Sequence, residues 1–144
     1  MTVLDGILNY LETYPGLRGG QLALDYLPEE ARSYSLEPEP CDPVLSEYMD
    51  GGQRRQCLLT LASRCFFGPD PGEQGENHRW LSDLERWLRD KGRAGELPEL
   101  GEERVCLSLT VTSGGYALEA GDNGLCRYQV SLKCVYFEQP TNFT

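Results

Sequence analysis

Apolar side chains recur at helical spacing in two parts of the chain. In residues 3 to 14 the stripe is followed by a proline and a glycine, which end the helical pattern. A second helix is predicted over residues 77 to 91, with Asn77 capping its start and Gly92 ending it. We interpret its two tryptophans as core residues. The two stripes are Val3, Leu4, Ile7, Leu8, Leu11 and Tyr14, then Trp80, Leu81, Leu84, Trp87 and Leu88.

Period-two alternation predicts strands between the two helices. Residues 21 to 27 form the first, and a short second strand runs through Tyr34 and Leu36. Three prolines at 38, 40 and 43 then remove ladder donors, so residues 37 to 43 are an edge or an exposed extended segment. Residues 44 to 50 and 53 to 67 are predicted to pair as a hairpin across an Asp-Gly-Gly turn.

The longer of these two runs has apolar residues on both faces, which indicates a central strand. A loop is expected at residues 68 to 77. After the second helix, residues 104 to 112 alternate with Val105, Leu107, Leu109 and Val111 on the apolar face. A Ser-Gly-Gly turn, a short strand and a long final strand over residues 125 to 138 complete the chain.

This order of elements indicates an α+β fold. We expect an antiparallel-rich mixed sheet with the two helices packed on one face. A chain of 144 residues fits a single domain. Its predicted parts are an N-terminal helix (1–14), strands (21–66) with an acidic proline-rich arm (37–52), a helix (77–91), a strand meander (104–138) and a loose tail (139–144).

The charge balance limits the class of partner. With 23 acidic and 13 basic residues the formal net charge is −10, which repels nucleic-acid phosphates and argues against a sequence-specific reader of DNA or RNA. The start of the chain lacks the basic and apolar regions of a secretory signal, and no window approaches the length of a membrane span. We therefore expect a protein that is soluble in the cytoplasm and makes no membrane contact.

Six cysteines raise the question of a metal site. They form no C-x-x-C pair, and the two pairs that share a strand are eight residues apart, about 26 Å on an extended strand. We interpret the cysteines as small buried apolar residues and expect no cofactor and no metal. They are Cys41, Cys57, Cys65, Cys106, Cys126 and Cys134.

A small cysteine-dependent enzyme is the alternative from another functional class. It would pair Cys65 or Cys41 as nucleophile with His78, the only histidine, as base. Nothing in the sequence marks a cysteine as activated, and no serine triad, phosphate loop or metal-binding histidine motif accompanies it. We therefore expect no catalytic residues.

An acidic stretch that is followed in the sequence by two arginines is the strongest candidate for an interaction surface. Between residues 29 and 50 there are seven acids and one base, Arg32. A proline-stiffened acidic arm beside two arginines is self-complementary, because the arm of one copy can meet the arginines of the next. A solvated loop with no partner, as in a monomeric binding module, is the alternative. The acids are Glu29, Glu30, Glu37, Glu39, Asp42, Glu47 and Asp50. The candidate interaction residues are Glu37, Glu39, Asp42, Tyr48, Asp50, Arg54 and Arg55.

The run "YSLEPEPCDPVLSEYMDGGQRRQCLLTLASR" resembles a segment of minor capsid or tail-terminator proteins encoded by long-tailed bacteriophages and prophages. In those proteins a Ser-x-Glu-Pro strand leads through Pro-Cys-Asp-Pro to a Tyr-x-Asp-Gly turn and an apolar strand. The matching positions here are Ser35, Glu37, Pro38, Pro40, Cys41, Asp42, Pro43, Tyr48, Asp50 and Gly51. "ELPEL" at residues 96 to 100 and the closing "RYQVSLKCVYFEQ" are also similar.

The resemblance implies an α+β structural subunit of a homohexameric ring, which forms either in isolation or only on assembly. Its partners would be other copies of itself, the tail tube protein and a head-completion protein. It would be found in the host cytoplasm during assembly and at the tail–head junction of the virion. A neighbouring head–tail connector remains the alternative within this class. We expect the acids of residues 29 to 50 and 70 to 76 to face the ring lumen or a neighbouring subunit.

Overall fold

The computed structural model describes residues 2–15, 22–24, 34–66, 71–118 and 125–140. These residues form two helices and six strands, which confirms the α+β class. In chain order the elements are α1 (Val3–Leu11), β1 (Leu22–Leu24), β2 (Tyr34–Glu39), β3 (Val44–Glu47), β4 (Gln53–Phe66), α2 (Pro71–Arg93), β5 (Arg104–Leu118) and β6 (Leu125–Glu138).

The six strands form one sheet in the order β1-β2-β4-β6-β5, with β3 also paired to β4. Only β1 and β2 run parallel, and the other pairs are antiparallel, so the predicted antiparallel-rich mixed sheet is confirmed. β2 and β3 use the same edge of β4 one after the other. β2 pairs with residues 58–63 and β3 with residues 53–55. At one end of the sheet the order is therefore β3-β4-β6-β5.

The hydrophobic core combines residues of the sheet with residues of both helices. Leu61 and Val130, and Leu59 and Leu132, are directly opposed on β4 and β6 and fully buried. Ile7 and Leu11 of α1, with Leu84 and Leu88 of α2, join the same cluster, as their helical stripes predicted. Trp87 is half-buried, with its ring 5.3 Å from that of Tyr10 and 5.1 Å from that of Tyr14. The two helices thus touch through aromatic rings, while their placement on a single face stays a prediction.

α2 begins earlier than the sequence predicted. It starts at Pro71 and includes Asn77, so the expected loop at residues 68 to 77 is wrong for its described part, 71–77. Proline is well tolerated in the first turn, where its missing N–H has no helical partner. Internal glycines cost a helix only about 1 kcal/mol each, which packing of the apolar stripe offsets. Gly92 also lies inside the helix, and Gly95 beyond the end has φ +76.

β5 is one continuous strand with local bulges. The predicted Ser-Gly-Gly turn at residues 113–115 is wrong, because the strand continues through it to Leu118 with a shift in register. Another register shift, earlier in β5, makes Leu107 an extra residue between Cys106 and Ser108. Since an inserted residue inverts the alternation, Val105 and Leu107 are exposed while Cys106 is buried.

β4, β6 and the hairpin agree with their patterns. Val130, Leu132, Cys134 and Tyr136 are all buried on β6, as the alternation predicted. β4 has strands on both sides and buries Thr60 and Ala62 as well as its core leucines, so it is the central strand expected. The predicted turns at residues 28–32 and 121–124 and most of the tail, residues 141–144, lie outside the described residues.

Candidate interaction surface

The proline-rich segment lies along the edge of β4. β1 pairs only with the first three residues of β2, and Pro38 lies beyond them. In that part of β2 the described neighbour is β4 alone. Gln56 then holds the link between β2 and β3, because its backbone N–H donates to the carbonyl oxygen of Pro43 at 2.9 Å and its side chain to that of Asp42 at 2.7 Å. The segment is therefore a tethered sheet edge, as the prolines indicated.

The acids of this edge divide into local and outward-facing groups. Glu37 accepts a hydrogen bond from the Ser35 hydroxyl at 3.1 Å, and Glu39 accepts one from Thr60. Asp42, Glu47 and Asp50 are exposed. Because Asp42 and Glu47 make no side-chain hydrogen bond or ion pair with any described residue, their carboxylates remain available to a partner.

A tight turn presents apolar side chains to solvent at the tip of the hairpin. Tyr48 N–H donates to Gly52 O at 2.8 Å, and the Asp50 carboxylate accepts from Gly52 N–H at 2.9 Å. Gly51 has φ +91, which favours glycine. The Tyr48 ring lies 5.8 Å from that of Phe137. We call residues 42–55 the acidic hairpin. Its exposed large apolar residues are Val44, Leu45, Tyr48 and Met49.

The two predicted arginines lie beside the acidic hairpin on the same chain. Arg55 is opposite Val44 and Arg54 opposite Ser46. Arg55 is engaged internally, with bonds to Gln53 at 2.7 Å and to the Tyr136 hydroxyl at 3.3 Å. Arg54 is exposed. Because arm and arginines share one surface, exchanging them between two copies would give a two-fold contact, whereas a ring needs two different surfaces.

A second, separate surface lies at the opposite edge of the sheet. A groove of about 450 Å³ runs between the C-terminal half of α2 and residues 107–111 of β5. We call it the α2–β5 groove. Its floor is apolar, and Arg89 and Arg93 are exposed on its α2 side. Neither arginine forms an ion pair with another residue in the described parts of the chain. The apolar lining residues are Leu88, Leu97, Leu107, Leu109 and Val111.

Sequence reasoning missed this groove. The Arg89–Arg93 spacing of one helical turn and the apolar Leu107 were visible in the sequence, but the exposure of Leu107 depends on the β5 bulge. The alternation pattern assigned Leu107 to the core.

The antiparallel register brings the cysteines together across strands. Cys57 is directly opposite Cys134, and Cys65 directly opposite Cys126, which explains why both pairs have the same spacing. The sulfur atoms of Cys106 and Cys134 are 3.8 Å apart and buried. The hydrogen bond with Cys106 and burial together raise the pKa of Cys134, so it stays a thiol at neutral pH.

The remaining cysteines are less enclosed. Cys41 and Cys57 are half-buried, and burial raises the pKa of Cys57. The prediction of small buried residues thus holds fully for Cys106 and Cys134, while the side chains of Cys65, Cys126 and His78 lie outside the described residues. Within the described residues, no group of three or more histidine, cysteine or acidic side chains is arranged to hold a metal ion.

Comparison with known proteins adds no identification: no family model and no curated protein matches this chain. Among the helices of the described residues, none has the length and apolar character needed to cross a membrane.

Proposed function

We propose that this chain is a structural assembly protein, a tail terminator that forms a ring at the head-proximal end of a phage tail tube. The proposal takes its phage context from the resemblance around residues 34 to 64. Its strongest physical support is the pair of distinct apolar surfaces at opposite sheet edges, the acidic hairpin and the α2–β5 groove. Ring formation needs two such surfaces on each subunit.

Exposed apolar residues at open sheet edges are what a subunit needs for assembly. Charge, proline and bulges limit pairing at an edge strand, and both edges here carry some of these features, but they leave the apolar side chains uncovered. Here β3 is exposed at all four residues, and Met49 at its tip is entirely exposed. β5 carries exposed Val105 and Leu107 on the other edge. Such clusters mark protein contacts more often than scattered single apolar residues do.

The net charge of −10 suits a conduit for DNA. An acidic wall repels phosphates, so a passing genome slides without binding. The acids of residues 71–76 belong to α2, and those of residues 29–33 lie outside the described residues. Of the two expected positions, the ring lumen and a neighbouring subunit, we propose the neighbouring subunit for the exposed acids Asp42, Glu47 and Asp50.

Electron microscopy of purified tail tubes incubated with this protein tests the function. We expect a ring at one end of each tube and tubes of uniform length when the protein is present during tube growth. Empty heads with attached connectors serve as the comparison, because a connector protein would bind there and leave tube ends bare. Tubes that remain uncapped with the protein in excess would refute the terminator role.

Chemical blocking of accessible thiols addresses the enzyme alternative. Assembly does not use the sulfur atoms, so capping should survive alkylation of the half-buried Cys41 and Cys57. The Cys41→Ser, Cys57→Ser double variant is the matched control, because it removes the same thiols without adding bulk. Loss of tube capping in both the alkylated protein and the double variant would indicate that the protein depends on thiol chemistry.

A further inference from the structure

We propose that the acidic hairpin of one copy docks into the α2–β5 groove of the next copy, with β3 adding as a strand beside β5. This contact deepens the proposed function, on which it rests for the identity of the partner as a second copy of this chain. It commits the outer edges of β3 and β5 to a single interface.

The two edges match in length. β5 pairs in unbroken register over residues 108–111, between two of its register shifts, and these four residues all line the groove. β3 is also four residues long and has a described strand neighbour, β4, on one side only. Backbone groups left open on both strands can complete a ladder, as in strand addition to a sheet edge.

The apolar surfaces also match in kind. Val44 and Leu45 on β3 and Met49 at the turn are exposed by 40%, 41% and 108% of their reference areas, which is unfavourable in an isolated chain. The groove offers an apolar floor with Leu107 exposed by 47% at its mouth. Inserting the hairpin side chains into this floor removes both apolar surfaces from water.

Charge complementarity selects this pairing over others. The hairpin carries Asp42, Glu47 and Asp50 with Arg54 behind them. The groove carries Arg89 and Arg93, with Glu85 as its one acid. Two grooves brought together would place arginine against arginine, and two hairpins would offer their acids only Arg54, because Arg55 is engaged internally. The hairpin–groove pairing instead sets the acids against two exposed arginines, Arg89 and Arg93.

The geometry makes the contact head-to-tail. At one end of the sheet the strand order is β3-β4-β6-β5, so hairpin and groove lie on opposite edges of each subunit. Repeating one heterologous contact either closes a ring or grows a filament, depending on the rotation between neighbours.

A charge-reversal pair tests the contact by complementation. The hairpin variant is Glu47→Arg, Asp50→Arg, and the groove variant is Arg89→Glu, Arg93→Glu. Sedimentation velocity on the full chain measures self-association. Each variant alone sets like charges together, so we expect its dissociation constant to rise about tenfold or more above wild type. An equimolar mixture restores association, because every contact between unlike copies is again complementary.

A charge-matched control separates loss of the hairpin–groove contact from a general effect of net charge on association. Glu12→Arg, Glu99→Arg makes the same change in net charge as the hairpin variant, at two exposed positions outside the groove. It should associate like wild type. A groove variant that associates as tightly as wild type would instead show a two-fold hairpin contact and overturn the proposal. A wild-type chain that stays monomeric up to about 1 mM would also overturn the proposal. At that concentration, only contacts with a binding free energy weaker than about −4 kcal/mol escape detection.

Tube capping distinguishes failure of the contact from failure of the function. If each variant alone still caps tubes with normal rings, the terminator role stands and the hairpin–groove contact is wrong. If wild type associates, the variants complement each other and tubes stay uncapped, the contact stands and the terminator role is wrong.

Discussion

Gly6 in α1 lies directly against the carbonyl oxygen of Glu99, in the loop that joins α2 to β5. A Cβ atom at residue 6 would overlap that oxygen and lie 2.9 Å from a methyl carbon of Leu100, which is itself buried. We expect Gly6→Ala to destabilise the fold by about 1–3 kcal/mol, because α1 must move away from the loop. Urea unfolding followed by tryptophan fluorescence measures the change.

Gly92→Ala is the matched control. Gly92 also lies in a helix, but a Cβ atom there would have no neighbour within 4 Å. Alanine is the better helix former, so this variant should be more stable than wild type by about 0.5–1 kcal/mol. Equal effects of the two substitutions would show that α1 does not contact the loop as described.

Tyr10 is expected to make stability fall at alkaline pH. Its hydroxyl donates to the carbonyl oxygen of Glu96 at 2.7 Å, and burial, with the nearby Cys106 and Glu96, raises the pKa of Tyr10 to about 12. The unfolded chain loses this proton near pH 10, whereas the folded chain keeps it until about pH 12. Its contribution to stability is therefore complete below pH 10 and is lost as pH rises toward 12.

Tyr10→Phe isolates this contribution. Phenylalanine keeps the ring that packs on Trp87 and removes the ionisable hydroxyl, at a cost of about 1 kcal/mol at neutral pH for the lost hydrogen bond. Chemical denaturation across pH 8 to about 11.5 should show the wild-type advantage shrinking as pH rises. A constant difference between the two proteins over that range would contradict the assigned pKa.

Thiol labelling should follow the burial of the cysteines. Cys134 is fully buried against Cys106, whereas Cys41 is half-buried at the sheet edge. Labelling of Cys134 requires the core to open, so we expect it to be at least about a hundredfold slower than labelling of Cys41. Pulsed alkylation followed by peptide mass spectrometry measures both rates, and labelling in urea provides the unprotected reference. Similar native rates at the two sites would contradict the register of β4, β5 and β6.

The sequence predicted the elements whose patterns are uninterrupted. On β6, Val130, Leu132, Cys134 and Tyr136 are buried as alternation predicted, and Val135 on the other face is buried as well. The Asp-Gly-Gly turn was recognisable because a tight hairpin needs φ > 0, which Gly51 supplies. The edge position of β2 beyond residue 36 followed from Pro38, which cannot donate to a ladder.

The features that the sequence did not reveal depend on tertiary pairing. Which residue of β5 bulges is decided by its partners on β6, and that choice turned Leu107 outward into the α2–β5 groove. Cross-strand cysteine pairs depend on register, which spacing within one strand does not specify. The early start of α2 runs against the low helix propensity of the proline and glycines in residues 71–76, so local propensity does not predict it.

The candidate surface was predictable only in its acidic half. The charge run and its prolines marked the hairpin, since both features are local in sequence. The role predicted for Arg54 and Arg55 stays a prediction, and we propose Arg89 and Arg93 as the partners of the acids instead. Arg55 is engaged internally, whereas the α2 arginines lie on the opposite edge of the sheet.

Glu138 connects three strands and should stabilise the end of the sheet at which the acidic hairpin sits. Its carboxylate lies 3.0 Å from Arg104 Nε on β5 and 3.8 Å from Arg55 Nε on β4. Replacing it with glutamine keeps the shape and leaves the two guanidinium groups without their shared anion. We expect a loss of about 1 kcal/mol, a modest value because these side chains are partly exposed to screening solvent.

Salt dependence and an exposed ion pair together test this role. Raising the salt concentration to about 1 M should shrink the difference between wild type and Glu138→Gln, because the lost attraction is electrostatic. Glu96→Gln is the control, since the Lys91–Glu96 pair is slightly shorter at 2.8 Å but more exposed, and its loss should cost less than about 0.5 kcal/mol. Thermal unfolding of the three proteins at both salt concentrations measures this. If the two substitutions cost the same, Glu138 is an ordinary surface ion pair, and the β4–β6–β5 end of the sheet is held by its backbone ladders and apolar contacts alone.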